Sequence, residues 1–537
     1  LVVYYACSTN ASIDGQQIRV HLQEHLHPAV VPSHYIRVPQ LPMNAHGKID
    51  RLALSSPTDM SGNNNNHSHE SPKSQLEAII VNIFERVLQM DGLGRDSHFL
   101  ELGGHSMLAQ MAASLLSKEG FKVSVTDILR RPVVLELADY VKPNMEAMST
   151  TNDDDSTYVL KPLPLTPTQL EVWNHQQMDV RNPMYNMPSV FSIRGQLDID
   201  ALGKVLSTVF NQHFALRCSI RVNHGDQLLQ IPEHEFQYKL NPHVVHSDSI
   251  SEEVRRIVQC PLSLHDGPLV RVELLRNDLD EQHHVLVIVT HGIVTDSFSE
   301  QLLNETVSTL YSTTITQKCE SSSVVLQNDF ANYERFVLSQ FSNVGVTNEK
   351  DVTYWSNYLK DFVPTVLKGD REQAGGLRTK KTIDIGARLQ ATSSMLHCTP
   401  YSIMLTALNL LLMTYTGQMD IAVGVEVALR NEPYVSETVG LLVSPIIARN
   451  KMDSSMTLEQ LVRQVTENTY ESMDHTRVAF RDILTICKQF SEVHPTNLMF
   501  VMQNVSHDSK LVLPGSTVER VHVHHNSNMF PMWTIQA

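Results

Sequence analysis

Two polar, low-complexity stretches limit what this chain can fold into more than any other feature. Residues 55–72 read SSPTDMSGNNNNHSHESP and residues 144–158 read NMEAMSTTNDDDSTY. Neither stretch has enough apolar side chains to offset the conformational entropy lost on folding, so both are typical of solvated linkers. A chain of 537 residues is also too long for one compact core. The sequence therefore predicts a multidomain protein with domains at 1–54, 73–142 and 159–537 and linkers at 55–72 and 143–158.

Charge and cysteine usage exclude several classes of protein. The chain has 42 Lys and Arg against 58 Asp and Glu, a net charge of −16, which disfavours binding to nucleic acid or to an anionic membrane. The most apolar run, SIMLTALNLLLM at 402–413, is too short to cross a bilayer and suits a buried helix. The six cysteines are scattered without a CxxC pair, so we expect buried, reduced thiols, a cytoplasmic location and no metal site.

The middle segment predicts four short helices. In QLEAIIVNIFERVLQM the apolar residues recur at spacings of three and four, which indicates one face of an amphipathic helix. MLAQMAASLL predicts a second helix, and VTDILRR and VLELADYV predict two more on either side of Pro132. Four helices in about seventy residues form a small bundle.

Ser106 begins the second of these helices, after Gly103, Gly104 and His105. One interpretation is that Ser106 only caps the helix, which serine does well. The other is that its hydroxyl is a modification site, because the two glycines leave room for another protein to approach. A helix amino terminus also favours a covalently attached phosphodiester.

FLELGGHSMLA resembles the signature of the peptidyl carrier domains of nonribosomal peptide synthetases. The resemblance implies that Ser106 carries phosphopantetheine, attached by a phosphopantetheinyl transferase, and that the arm holds an aminoacyl or peptidyl thioester. Gly103, Gly104 and His105 would flank the attachment site.

The first segment, with LPMNAHGKIDRLAL at 41–54, is similar to the end of an adenylation domain. Read alone, NAHGKIDR is a turn with an exposed lysine. The resemblance implies a small α+β remnant in which Lys48 would stabilise negative charge on the substrate carboxylate and ATP phosphate. The nucleotide-binding core is absent from the chain, so we expect no adenylation, with Lys48 left without a substrate. A chain opening at Leu1 suggests a missing start.

The third segment is similar to condensation domains, two-lobed α/β acyltransferases of the chloramphenicol acetyltransferase type. The resemblance rests on fragments in the family's order, including LPLTPTQLEVWNHQQM, HHVLVIVTHGIVTDSFSEQ and VGLLVSPIIARN. VLVIV at 285–289 predicts a buried strand that ends at His291, followed by a helix from about Ser297. The family continues beyond TNLMFVMQN with further strands and a latch, so we expect a domain incomplete at its carboxyl end.

The family's active motif is HHxxxDG, in which the second histidine acts on the attacking amine. Aligned on Asp296, the first histidine is His291, the catalytic place is Gly292, and the aspartate pairs with an arginine, for which Arg430 is the candidate. A one-residue slip that makes His291 catalytic stays open, although His291 as a satisfied core histidine is the simpler interpretation. His283 and His284 are expected at the surface.

Three hypotheses follow for function. The first is a synthetase segment whose carrier works and whose condensation-type acyltransferase is impaired because Gly292 has no side chain. The second is a non-catalytic docking or scaffold module that binds or gates a loaded carrier. The third is an active acyltransferase that uses His291 or a water. Expected partners are an upstream adenylation core and a downstream carrier; the amino acid carried is not encoded in these residues.

Overall fold

The structure is a computed structural model. It describes residues 2–6, 18, 34–38, 70–143, 160–223, 225, 227–317, 329–342, 349–365, 367, 385–430, 432–476, 478, 480–488, 498–502, 511–523 and 533–536. The strands are β1 (Val2–Tyr5), β2 (His34–Arg37), β3 (Phe121–Lys122), β4 (Lys142–Pro143), β5 (Leu163–Pro164), β6 (Asn186–Gly195), β7 (Cys218–Val222), β8 (Leu228–Pro232), β9 (His243–Val245), β10 (Val270–Asn277), β11 (His283–His291), β12 (Asp420–Ala428), β13 (Val443–Lys451), β14 (Leu498–Val501), β15 (Ser516–Arg520) and β16 (Trp533–Gln536).

The α-helices follow the same numbering. They are α1 (Gln75–Leu88), α2 (Ser106–Lys118), α3 (Val125–Arg130), α4 (Val134–Tyr140), α5 (Pro167–Met178), α6 (Ile199–Asn211), α7 (Ile250–Gln259), α8 (Ser297–Gln317), α9 (Phe330–Ser342), α10 (Glu349–Tyr358), α11 (Gly386–Leu396), α12 (Pro400–Thr416), α13 (Leu458–Asp474) and α14 (Phe480–Lys488).

The chain forms two compact units. The first consists of residues 1–104, 132–138 and 382–400, and the second of residues 105–131, 139–381 and 401–537. In the first unit β1 runs parallel to β2. The loop that follows α1 is held by backbone bonds, among them Phe99 N–H to the Pro132 carbonyl at 2.7 Å.

All four predicted helices of the middle segment are present as α1 to α4. The Ser74 side chain caps α1 by accepting from the Glu77 N–H at 3.1 Å, and the apolar face of α1 is buried, with Ile80 and Phe84 inaccessible to solvent. Ser124 and Asp127 form a capping box at the start of α3. Helices α3 and α4 are separate because Pro132 has no N–H to continue a helix.

The second unit contains a five-stranded sheet in the order β15-β6-β11-β10-β9. Strand β11 pairs antiparallel with both β6 and β10, and its residues 284–291 are all buried. The sequence prediction of a buried strand that ends at His291, and of a helix from Ser297, is confirmed. A core of apolar side chains from α6, α8, α9 and the sheet covers one face.

A four-stranded sheet, ordered β13-β12-β14-β16, forms the centre of a second lobe. Helices α10, α12, α13 and α14 contribute apolar side chains to its core, including Trp355 and Leu405, which are fully buried. The predicted helix at 402–413 is therefore confirmed within α12. A smaller three-stranded sheet is ordered β5-β8-β7.

Two sequence predictions are wrong. His283 and His284 do not precede the strand but are its first two residues, and His284 is only 5% exposed because it pairs inside the sheet, opposite Ile193. Cys260 is exposed, whereas Cys218, Cys398 and Cys487 are buried free thiols as expected.

Two further strands follow residue 505: β15 at the edge of the five-stranded sheet and β16 at the edge of the four-stranded sheet. Within the described ranges no single helix is long and apolar enough to span a bilayer; one bent pair, Arg388–Leu396 with Pro400–Thr416, meets the criteria of length and composition only when its two helices are counted together.

Candidate functional site

Ser106 is the first residue of α2, and its side chain is half-buried. The capping position belongs to His105, whose backbone is extended and whose side chain makes no capping bond. The interpretation of Ser106 as a helix cap is therefore wrong. Its hydroxyl stands at the amino-terminal end of a helix, where free N–H groups and the helix dipole favour an attached anion.

The two glycines before His105 have different structural roles. Gly103 has a φ of +94°, a left-handed conformation that favours glycine. Gly104 has no such constraint, but a Cβ on it would overlap the ring of Phe99 and lie 2.5 Å from its carbonyl oxygen. Backbone conformation and close packing therefore account for the two glycines, whether or not another protein approaches Ser106.

The predicted flanking residue His105 is half-buried, and burial lowers the pKa of its imidazole. The ring is therefore neutral at physiological pH, so the positive end of the helix dipole is the source of positive potential beside Ser106. Lys48, the predicted adenylation-loop residue, lies outside the described residues.

Asp296 and Arg430 form a buried ion pair, as the sequence predicted. The Arg430 Nη2 atom donates to both carboxylate oxygens of Asp296, at 3.0 and 3.1 Å, and to Ser299 Oγ at 2.9 Å. The backbone N–H groups of Ser299 and Leu442 also donate to Asp296. Because Asp296 joins α8 to the segments that contain Arg430 and Leu442, its carboxylate has a positioning role and is already fully hydrogen-bonded.

His291 is a satisfied core residue. It is 1% exposed, its Nδ1 accepts from the Ile293 N–H at 3.1 Å, and burial lowers its pKa to about 3. The ring is therefore neutral and holds the turn after β11. Buried imidazole bonded in this way agrees with the core interpretation and speaks against the one-residue slip.

Gly292 stands at the position that the motif assigns to the catalytic histidine. A Cβ on residue 292 would lie 3.4 Å from the Tyr185 carbonyl oxygen, 3.6 Å from Met187 Sδ and 3.7 Å from Tyr185 Cδ1. These are tight to ordinary contacts, so the position has room for a Cβ, which glycine lacks.

Two family profiles match the chain. The condensation-domain profile matches residues 159–530. The chain belongs to the condensation-domain family. A second profile, for a phosphopantetheine attachment site, matches residues 78–141. The chain thus combines a carrier domain with a condensation domain, the combination found in nonribosomal peptide synthetases.

Curated relatives are similar to nearly the whole chain. Bacitracin synthase 3 of Bacillus licheniformis is 27% identical over 96% of this chain and 8% of its own length. Gramicidin S synthase 2 of Brevibacillus brevis is 25% identical over 94% of this chain and 11% of its own length. The chain therefore spans only a small part of the length of these relatives.

Solved structures share the fold of the condensation domain. The X-domain from teicoplanin biosynthesis is 18% identical, with a TM-score of 0.59 over 69% of this chain and 84% of its own. The first condensation domain of the calcium-dependent antibiotic synthetase is 18% identical, with a TM-score of 0.55 over 67% of this chain and 84% of its own. Both confirm the two-lobed acyltransferase fold predicted from the sequence.

Sequence reasoning missed Tyr185, which lies beside Gly292, and two residues of α5 that interact with Tyr185. The Tyr185 hydroxyl is 2.6 Å from His175 Nδ1 on α5. Glu171 lies one turn before His175 on the same helix, and burial raises the pKa of its carboxyl to about 7. The spacing of four between Glu171 and His175 was visible in the sequence, but nothing there linked α5 to Gly292.

Among the residues that the structure describes, one group of potential metal ligands occurs, and it lies in the first unit. The ligand atoms of His98, Glu101 and His397 all lie within 4.8 Å of one another. Glu101 and His397 form an ion pair at 3.2 Å, and the Glu101 N–H donates to His98 Nδ1. The ion pair and the hydrogen bond explain why these three side chains lie close together without a metal ion. That the protein binds no metal stays a prediction.

Within the second unit, carrier helices α2 and α3 contact the condensation domain through charged and polar groups. Lys118 Nζ lies 2.7 Å from Glu437 Oε1, and Arg130 lies 2.6 Å from Asp474 and 2.8 Å from Glu467 on α13. The Gln110 side chain donates to the Arg430 carbonyl oxygen. The residue that holds Asp296 therefore also contacts the helix that begins with Ser106.

Proposed function

We propose that this chain is a working part of a nonribosomal peptide synthetase, in which Ser106 carries an acyl group and the condensation domain joins it to an amine. The observation that carries the proposal is the placement of Ser106. Ser106 is the first residue of α2 and is half-buried, and its hydroxyl does not cap the helix. The hydroxyl therefore suits the attachment of a covalent arm. When bound there, phosphopantetheine supplies a terminal thiol that holds an aminoacyl or peptidyl group as a thioester.

The residues around Ser106 suit the phosphodiester of that arm. The first N–H groups of α2 have no partner within the helix and point toward its amino terminus. The neutral His105 adds no charge, and Gly103 and Gly104 hold the preceding turn. Anion binding at this end is worth about 0.3–1 kcal/mol at an exposed helix terminus.

The condensation domain supplies the acyl-transfer step. Asp296 and Arg430 fix the geometry of the motif, and His291 holds its turn. Gly292 offers no base and no hydrogen-bond donor from a side chain, so we expect amide formation to be slower than in a domain with histidine there. General acid–base groups typically contribute about 10²- to 10⁴-fold to a rate.

The proposal implies three partners and a compartment. A phosphopantetheinyl transferase would modify Ser106, an upstream adenylation core would supply the activated amino acid, and a downstream carrier would present the accepting amine. Carrier thioesters and free thiols such as the exposed Cys260 suit a reducing cytoplasm.

Loading is the first test. We expect coenzyme A and a phosphopantetheinyl transferase to add one phosphopantetheine to the chain, measured by intact-protein mass spectrometry. The variant Ser106→Ala should stay unmodified, while Ser117→Ala, which removes a buried hydroxyl further along the same helix, should load normally. A wild-type chain that is never modified would refute the carrier assignment.

The lack of a side chain at Gly292 favours a second candidate function. In it the condensation domain binds or gates a loaded carrier without forming the amide. The variant Gly292→His separates the two, because it restores the side chain that the motif lacks, at a position where a Cβ makes no contact shorter than 3.4 Å. Under the main proposal wild type forms product slowly and Gly292→His forms it faster; under the docking alternative wild type forms none.

A further inference from the structure

The structure brings proton-handling side chains to the place where the motif lacks one. Tyr185 ends the segment before β6, and its carbonyl oxygen accepts the Gly292 N–H at 2.8 Å. Its ring lies between two imidazoles, with centroid distances of 5.8 Å to His291 and 5.9 Å to His175. Since His291 is bonded to the backbone and buried, His175 is the imidazole that can exchange a proton with Tyr185.

The pairing of Tyr185 with His175 is a short hydrogen bond. The phenol oxygen and His175 Nδ1 are 2.6 Å apart. Burial, followed by the charges of Glu171 and Glu426, raises the pKa of Tyr185. The phenol therefore keeps its proton at neutral pH and can donate it to the imidazole.

Glu171 completes the group. It precedes His175 by four residues on α5, and side chains at this spacing lie on one face of a helix. Its Oε1 atom is buried and has no hydrogen-bond partner among the described residues. A carboxylate in this setting can stabilise a positive charge on the neighbouring imidazole.

We propose that Tyr185, His175 and Glu171 form a proton relay that accepts the proton of the attacking amine in place of the missing side chain at residue 292. The proposal rests on the function proposed above. It names the side chains that would take up the proton during the slow amide formation expected there. It deepens the third sequence hypothesis but assigns the role to residues other than His291.

The relay balances every atom of the acyl transfer. The amine nitrogen forms a bond to the thioester carbonyl carbon and gives its proton to the Tyr185 oxygen, while the phenol proton moves to His175 Nδ1. Glu171 stabilises the resulting imidazolium. The carbon–sulfur bond breaks, and the proton returns from His175 through Tyr185 to the leaving sulfur, so that a thiol and an amide result.

The relay requires Glu171 to be ionised, so the rate should rise with pH. The charged group that acts on Glu171 is Arg481 on α14, and Tyr185 is in turn affected by Glu171 and by Glu426 on β12. Burial raises the pKa of Glu171 to about 7 and Arg481 opposes that shift. We therefore expect the rate to increase through about pH 7.

The test uses the full chain loaded on Ser106 from alanyl-coenzyme A, with a soluble aminoacyl thioester as the amine. Product is followed by mass spectrometry in wild type, Tyr185→Phe and Glu171→Gln, each in the native and the Gly292→His background. Glu252→Gln, which removes an exposed carboxylate on α7, is the matched control.

In the native background we expect Tyr185→Phe to lower the rate on the order of 10²-fold, the lower end for general acid–base catalysis. Glu171→Gln should abolish the rise with pH, and Glu252→Gln should change neither. In the Gly292→His background both relay substitutions should have little effect, because the new imidazole accepts the proton directly.

Equal losses in both backgrounds would show that the residues only support the fold and would overturn the relay. So would a wild-type chain that loads but forms no product while Gly292→His does, a result that leaves the carrier assignment and the fold intact. If Gly292→His also forms no product from a loaded chain, the proposed acyl transfer itself fails and the relay with it.

A measurement independent of activity completes the test. Infrared spectroscopy of the isotope-labelled carboxyl groups, as the difference between wild type and Glu171→Gln, reports the titration of Glu171. We expect protonation near pH 7 in the unloaded chain. A Glu171 carboxyl that stays protonated throughout the pH range in which the rate rises could not stabilise the imidazolium and would overturn the relay.

Discussion

Arg430 is the residue on which the geometry of the condensation motif most depends. It is 1% exposed and donates to Asp296, to Ser299 and to the carbonyl oxygens of Val435 and Thr438. A guanidinium suits this place because its planar fork can bond a carboxylate and several carbonyls at once. These directional hydrogen bonds fix the backbone between Val435 and Thr438 relative to Asp296, which an undirected attraction between two charges would not do.

We expect Arg430→Ala to destabilise the condensation domain by about 3–5 kcal/mol, because removing one partner leaves a buried charge uncompensated. Thermal unfolding of the full chain, followed by tryptophan fluorescence, would measure the loss. As a control, Arg463→Ala removes an exposed arginine from α13, where its pair with Glu459 is worth at most about 1 kcal/mol. Comparable losses for the two variants would contradict the role of Arg430.

At the scale of elements, carrier helix α3 and condensation helix α13 interact mainly through charge. Arg130 contacts both Asp474 and Glu467, and Thr126 Oγ1 donates to Asp474 at 2.5 Å. The charged side chains of this contact are partly exposed, so each ion pair contributes modestly and is screened by salt. Such a contact suits a carrier that must leave and return.

We expect Arg130→Glu to weaken the contact by about 1 kcal/mol, which corresponds to roughly fivefold faster hydrogen exchange of amides in α3 and α13. The double variant with Glu467→Arg should recover part of the protection. Arg86→Glu makes the same change of charge at an exposed position on α1 and should leave α13 unchanged. Unaltered exchange in Arg130→Glu would show that this contact does not hold the helices together.

For the molecule as a whole, Glu171 links the proposed chemistry to stability. Its folded pKa of about 7 is above the ordinary value of 4.5, so the folded state holds the proton more tightly than the unfolded state. The stability associated with this proton is fully present below about pH 4.5 and is lost as the pH rises through 7. A carboxylate kept for activity therefore costs stability under the conditions where it would act.

We expect Glu171→Gln to be more stable than wild type at pH 8, by on the order of 3 kcal/mol, and nearly equal at pH 4.5. The difference between the melting temperatures of the two chains at each pH is the measurement. Glu252→Gln should track wild type throughout. A Glu171→Gln variant that is no more stable at pH 8 would contradict a raised pKa.

Much of the fold could be predicted from the sequence because the signals are local. The four carrier helices follow from apolar spacing and Pro132, and the buried strand before His291 follows from an unbroken apolar run. The motif at Ser106 and the substitution of Gly292 were likewise visible in consecutive residues. The errors at His284 and Cys260 arose because burial depends on neighbouring strands and loops that are distant in the sequence.

The tertiary structure alone decided what surrounds Gly292. Tyr185 and His175 come from different elements more than a hundred residues before it, and no local pattern brings them to the turn after β11. The pKa of Glu171 likewise depends on burial, a property of packing and not of residue type. Local patterns determined which helices and motifs this chain has; only the packing of distant elements decided which side chains share the candidate site.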